Sequence, residues 1–354
     1  MPVLDVERLI QNRVTEIVAL QGRARATKAQ IDVSGGVDSA VVLGLLTRAV
    51  GPGNLIAVYS NIDSSIESRD RAEKVCDVFK VPLISLDLSD IHADLLNEIL
   101  KRTAVAFAGQ PDTHVEQVLL TCLETNTTVA GSLRSCLRTP VGDFMAKLFG
   151  SGIRYGTGNE CEDRFLRFYQ KRGDGAVDCN PIAMLSKGEV YQLALGLGVP
   201  KDIIDCMPTP DLWGSGDTHN DESELKSWTG AEFTYSRINS DTGEYIKTGS
   251  IERISRFLDS CWYSETIGFD VYGEDLFGHW DNWEEEDWPG IRDQAREFFP
   301  SDVSDEELSA LLLASREAER TTRHKDMGIP TLGERHDLED LEILTNNLSE
   351  NENV

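Results

Sequence analysis

The segment Ser34-Gly35-Gly36-Val37-Asp38-Ser39 is equipped for chemistry on an anion. Two adjacent glycines let a backbone turn tightly enough for successive N–H groups to converge on one point. Ser34 and Ser39 can add hydroxyl donors, and a helix that follows the turn presents its positive end. Asp38 does not suit a bare phosphate site, because like charges repel. It suits one in which a carboxylate holds Mg²⁺ and the ion bridges phosphate oxygens. The plainer reading is a glycine turn capped by serines, and the context decides between the two.

That context is strand, turn, helix. Ala29–Val33 is a short apolar run that ends at the turn, and Ser39–Val50 places Val41, Val42, Leu45, Leu46 and Ala49 at helical spacing. Leu55–Tyr59 reads as a second buried strand. A helix over about 68–79 follows, with Ala72, Val75, Cys76 and Phe79 on one face, and then a third strand over Val81–Leu86. This alternation predicts βαβ units and a parallel sheet. Further on, Ser186-Lys187-Gly188-Glu189 is a capping box that opens a helix running to Gly198, with Pro200 just beyond.

The composition narrows the partners. Lys plus Arg is 34 and Asp plus Glu is 61, a formal charge of −27. Such a surface repels nucleic acid and anionic lipid, so neither is expected as a partner, and an anionic substrate would need a local cluster of cations and helix N-termini. No apolar run is long enough to span a membrane, and the N-terminus lacks the basic start of a signal peptide. The seven cysteines form no C-x-x-C pair. Reduced thiols in a cytoplasmic protein are expected.

All six tryptophans lie between Trp213 and Trp288, in a stretch rich in Gly, Asp and Glu. The expected organisation is therefore a main domain over 1–213, an irregular Trp-rich acidic insertion over 214–303, a return to the main domain over 304–332, and an acidic disordered tail over 333–354. A second capping box, Ser304-Asp305-Glu306-Glu307, marks the start of the returning helix.

The phosphate loop resembles that of the PP-loop ATP pyrophosphatases, which split ATP between its α- and β-phosphates. Four later segments resemble the NAD synthetase family within that class. Gly156-Thr157-Gly158-Asn159-Glu160-Cys161-Glu162 is similar to the family's G-T-G-N-x-x-E. The run from Lys171 to Pro181 is similar to K-x-G-D-G-x-x-D-x-N-P. Pro208-Thr209-Pro210-Asp211-Leu212 and Thr322-Arg323-His324-Lys325 resemble P-T-A-D-L and T-E-H-K.

This resemblance implies an α/β fold with a Rossmann-like parallel sheet flanked by helices, the adenine nucleotide alpha hydrolase-like PP-loop fold, here with an irregular insertion. It implies a ligase that activates the carboxylate of nicotinic acid adenine dinucleotide with ATP and passes it to ammonia. Asp38 and Glu162 would hold Mg²⁺, and Asp38 and Lys187 would serve the chemistry. Ser34, Gly35, Gly36, Val37, Asp38, Ser39, Thr157, Lys187 and Thr209 would contact ATP. Arg138, Lys171, Asp178, His324 and Lys325 would contact the acceptor. The family is generally homodimeric. With the loop so near the N-terminus no glutaminase domain is expected ahead of it, so ammonia would come free or from a separate protein.

Singly, each of these residues has a plainer role. Asp38 could cap a helix, Asp178 a turn, and Lys171 with Arg172 could be a surface pair. The chain also departs from the family. Where G-N-I-x-A-R-x-R is usual, it has Gly131-Ser132-Leu133-Arg134-Ser135-Cys136-Leu137-Arg138, so a guanidinium is lost at Cys136, and Asp32 stands in place of a glycine before the loop. Arg134 or Arg138 could compensate, or the acceptor could be another carboxylic acid. A nucleotide-binding protein without turnover is the third reading.

Overall fold

The computed structural model describes residues 3–107, 127–209, 220–263, 288–322, 325 and 335–344. Its centre is a parallel four-stranded sheet, order β3-β2-β1-β4, built from β1 (Lys28–Asp32), β2 (Leu55–Asn61), β3 (Leu83–Asp87) and β4 (Gly152–Tyr155). β1 is the hub: Ala29 lies beside Leu55 of β2 on one side and beside Ile153 of β4 on the other. Both faces of these strands are covered, which is why β2 reads as a nearly continuous apolar run.

The helices are α1 (Val6–Ala24), α2 (Val37–Val50), α3 (Ile66–Phe79), α4 (Ser89–Phe107), α5 (Thr127–Leu148), α6 (Glu160–Asp163), α7 (Lys187–Leu197) and α8 (Lys201–Ile204). α2 is wedged between α1 and α7, and Val41, Val42, Leu43, Leu45 and Leu46 have no exposure at all. A helix apolar on nearly every side is a core helix, and this one carries the phosphate loop at its head. The capping box of α7 forms as expected, with Ser186 accepting from the Glu189 N–H and Glu189 from the Ser186 N–H. α3 begins two residues earlier than the periodicity suggested, because Ser65 caps it through the Ser68 N–H.

Beyond residue 220 the structure is more regular than expected. α9 (Asp221–Thr229), β5 (Arg237–Ile238), β6 (Tyr245–Lys247), α10 (Ser250–Tyr263) and α11 (Trp288–Ala295) precede α12 (Asp305–Thr322). Together they build a second hydrophobic core. Phe233, Tyr235, Ile254, Phe257 and Leu258 meet Leu308, Leu311 and Leu312 of α12, and also Cys161, Phe165 and Leu166 from the segment around α6. The described parts of 220–303 and the returning helix thus share one core rather than forming an appendage and a separate element. The acidic composition misled because the apolar residues are spaced so that only one helix face is buried.

The expected disorder of the tail is corrected for 335–344. α13 (Arg335–Asp340) forms there, and Leu338, Ile343 and Leu344 are buried in the first core, where the Leu4 N–H donates to the Ile343 carbonyl at 3.1 Å. Three apolar side chains suffice to dock an otherwise polar segment. No described helix is long and apolar enough to cross a membrane.

The second core makes a direct prediction. Phe257→Ala opens a cavity among fully buried neighbours and is expected to cost about 3–5 kcal/mol of unfolding free energy. Urea denaturation measures it, and a loss under about 1 kcal/mol would mean that this core is not packed as described.

Candidate active site

A cavity of about 530 Å³ opens at the carboxyl ends of the strands, where ligands bind in open α/β sheets. The phosphate loop forms one wall. Gly35 holds φ +85°, and a Cβ there would come within 2.2 Å of the Ser68 carbonyl oxygen, so the first glycine is required both by conformation and by space. Gly36 caps α2 without any side-chain hydrogen bond, which leaves the first N–H groups of that helix directed at the cavity mouth. The two serines have separate tasks. Ser34 lines the cavity, whereas Ser39 is buried and braces the turn, bonding the Gly36 carbonyl at 3.0 Å and lying 3.2 Å from the Ser34 hydroxyl.

Opposite the loop stands a charged centre. Lys187, the first residue of α7, is 1% exposed, and its Nζ donates to Asp38 Oδ2 at 2.6 Å and to Glu162 Oε1 at 2.9 Å. The Tyr235 ring closes over the ammonium, with its centroid 5.3 Å away. Burial works against the lysine's charge, but Asp38 and Glu162 outweigh it and hold the pKa well above the ordinary value. Burial, aided by the charge of Asp38, raises Glu162 against the pull of Lys187. Asn159 fixes the other oxygen of Asp38, donating to Oδ1 at 3.0 Å.

Two carboxylates with room for phosphate oxygens match the preference of Mg²⁺ for oxygen ligands from one or two carboxylates plus substrate. No cluster of three or more metal-binding side chains stands among the described residues, so an ion here would take the rest of its shell from phosphate and water.

A further carboxylate faces this centre. Asp221, at the start of α9, lines the cavity and is buried; burial, then the nearby charges of Glu162 and Asp38, push its pKa up to about 7. The local structure around it is a helix start, where Asn220 and Ser223 form reciprocal capping bonds. α9 also brings Trp228 to the wall, stacked on Phe168 with ring centroids 6.2 Å apart.

A family model described as NAD synthase matches residues 9–238. The chain belongs to the NAD synthase family. Among relatives of this family, one from Methanococcoides burtonii named NH(3)-dependent NAD(+) synthetase is 29% identical over 259 residues, 71% of this chain and 90% of the relative. One of the same name from Thermoplasma volcanium is 31% identical over 196 residues, 55% of this chain and 70% of the relative. The fold is similar to that of the NMN synthetase from Francisella tularensis, with a TM-score of 0.53 at 20% identity, covering 75% of this chain and 98% of that one.

Within this NAD synthase fold, Ser34, Gly36, Val37, Asp38, Thr157, Glu162, Lys187, Thr209, Arg138 and Lys325 all line the cavity. Gly35 and Ser39 shape the loop behind its surface. Lys171 and Asp178 are not in the wall; Asp178 accepts from the Arg154 N–H at 2.8 Å and so continues the edge of β4. Lys325 is anchored, donating to the Arg167 and Tyr169 carbonyls at 2.9 and 2.8 Å. His324 lies outside the described residues.

The departures acquire partners or explanations. Asp32 accepts from Arg154 at 2.9 Å and from Gln30 at 2.8 Å, a buried answer to a carboxylate in a glycine's place. On α5 the cavity face carries Gly131, Ser132, Ser135 and Arg138, not Cys136 or Arg134. Arg134 turns instead to Asp63, 3.7 Å away. Asn159, Tyr235 and Asp221 are the residues that sequence reasoning left unassigned.

Burial also silences the nearby thiols. It pushes Cys76 and Cys179 up to about 12 and Cys161 well above its ordinary value, so none of the three is a nucleophile at neutral pH.

Asp221 supplies a prediction with a definite sign. Its folded pKa is raised, so the proton is bound more tightly in the native state than in the unfolded chain, and stability falls as pH rises from the unfolded value towards 7. Asp221→Asn is therefore expected to raise the melting temperature of the ligand-free protein at pH 8, with the gain fading as pH drops below 7 towards 4. Equal gains at both ends of that range, by differential scanning fluorimetry, would show that Asp221 is not held above its ordinary value.

Proposed function

We propose that this chain is a ligase that converts nicotinic acid adenine dinucleotide, ATP and ammonia to NAD, AMP and pyrophosphate. Membership of the NAD synthase family supports the reaction class. The observation that carries the site assignment is Lys187 buried between Asp38 and Glu162, across from an uncapped helix N-terminus and a glycine turn.

The acceptor carboxylate attacks the α-phosphorus of ATP and pyrophosphate leaves, giving an acyl-adenylate. Ammonia then attacks the activated carbonyl and AMP leaves. The N–H groups at the head of α2, with Ser34, hold phosphate oxygens, and Lys187 places a cation where negative charge accumulates on the departing pyrophosphate. Asp38 and Glu162 would hold Mg²⁺, which neutralises phosphate charge when bound. Asp221, with a pKa pushed up to about 7, takes the proton that ammonium or the attacking amine must lose. Arg138 and Lys325 meet the acceptor from the far wall, while Phe168 and Trp228 offer it an aromatic surface. This reaction needs no cysteine nucleophile, and burial keeps the thiols of Cys76, Cys161 and Cys179 raised.

A homodimer in the cytoplasm completes the reading. Exposed apolar faces support the dimer: Ile91, Leu95 and Ile99 lie one turn apart along α4, and Phe144 and Leu148 end α5 with Phe149 just beyond. Analytical ultracentrifugation tests it; a monomer at micromolar concentration would overturn that part.

A second reading, amidation of a different carboxylic acid, is favoured by the Asp32–Arg154 pair in the cavity wall. An end-point assay with Mg²⁺, ATP, ammonium and the dinucleotide, read by mass spectrometry, separates the two. Stoichiometric AMP and NAD are expected. AMP and pyrophosphate released only with other acids would favour the second reading. Lys187→Met is expected to slow pyrophosphate release by about 100-fold or more with the fold retained, and unchanged turnover would remove Lys187 from the chemistry.

A further inference from the structure

We propose that Arg256 and Glu160 are positioning residues for the metal carboxylates: a buried four-charge network, anchored in the 220–300 region, holds α6 in the place that Glu162 and Asn159 require. The inference rests on the assignment of Asp38 and Glu162 to Mg²⁺ made above.

α6 is a single turn, Glu160–Asp163, and one turn of helix does not hold its own shape. Its work is nevertheless exacting. Asn159, its cap, reaches Asp38, and Glu162, two residues inside it, reaches Lys187. Both of those contacts face the cavity, so the support must come from behind. There Glu160, 2% exposed, accepts from Arg164 at 2.8 Å through Oε1 and from Arg256 through Oε2. Asp259, one turn along α10 from Arg256, accepts from both arginines. Arg164 also donates to the Ser255 hydroxyl at 3.3 Å, and Cys161, fully buried between Glu160 and Glu162, seats in the second core.

Two guanidinium groups and two carboxylates balance, and none of the four lines the cavity. The planar fork of Arg256 joins α10 to α6 from one side, binding Glu160 with one nitrogen and Asp259 with the other, while Arg164 reaches back to Asp259 from the end of α6. Its side chain has no exposure, so water cannot replace it. Removing one partner of such a network leaves charge uncompensated and shifts whatever the other partner holds. Groups that orient metal ligands from outside the ligand shell typically change metal affinity by about 10- to 100-fold when altered. The acidic region beyond 220 thereby serves the site from behind as well as lining it.

The test is calorimetric titration of Mn²⁺ into the full-length protein saturated with α,β-methylene-ATP, with melting curves as a folding control. Arg256→Met is expected to weaken Mn²⁺ binding about 10-fold, and so is Arg256→Lys, which keeps the charge but loses the fork. Steady-state KM for the acceptor should stay within a factor of about two in both, a split that general destabilisation would not produce. Should Arg256→Met fail to fold, Arg256→Lys and Glu160→Gln carry the measurement. Folded variants that bind Mn²⁺ as tightly as the unaltered protein would overturn the positioning role alone. An unaltered protein that binds no Mn²⁺ with the analogue would instead overturn the metal assignment beneath it.

Discussion

The ammonium of Lys187, shut away from water between two carboxylates, is the constraint around which the rest of this protein is organised. An unpaired charge at that depth is costly enough that it would be neutralised or expelled. Asp38 at 2.6 Å and Glu162 at 2.9 Å remove that cost only if three segments far apart in the chain arrive together. The head of α2, the short helix α6 and the first turn of α7 each contribute one member. The capping box at Ser186 decides where α7 starts, and so where the lysine leaves the backbone.

The two hydrophobic cores divide this labour. The first packs α2 and α7 against the sheet, giving Asp38 and Lys187 a common rigid base. The second seats Cys161 beneath α6 and brings Tyr235 over the lysine. The cavity lies along the seam, so its polar groups are drawn from both bodies of packed side chains. A site at such a seam can lose geometry without losing stability if the two sides shift slightly against one another. The pairing of Arg256 and Arg164 with Glu160 and Asp259 fixes α6 to α10 on the second-core side of that seam with four complementary charges.

What could be read from the sequence was local. The glycine turn, the strand before it and the capping box at Ser186 are each specified within a few residues, and each formed where their chemistry placed it. The parallel sheet followed from the order of apolar runs. The residues that escaped notice act through partners remote in sequence: Asp221 looks like a first-turn acid of α9, Tyr235 like one more core aromatic, and Arg256 like a solvated charge on a helix of mixed charge. Asp178 shows the converse, a motif residue whose carboxylate is engaged by the backbone of β4. The order beyond residue 220 was concealed by composition, because charged helices can still bury one continuous face. Asp32 looked anomalous alone and makes sense as the partner of Arg154 across neighbouring strands.

The docking of Leu338, Ile343 and Leu344 in the core that also holds Leu9 and Ile10 ties α1 to a segment more than three hundred residues later. On a ribosome, the first core must therefore wait, incompletely sealed, until residue 344 has emerged. Contacts so distant in sequence are also entropically slow to close. The sheet and α2 can assemble early, but with part of their apolar surface open to solvent, and such surfaces are the ones that aggregate or recruit chaperones. Synthesis and completion of the phosphate-binding half are in this way separated in time, and the segment that closes the interval is one whose composition pointed to disorder.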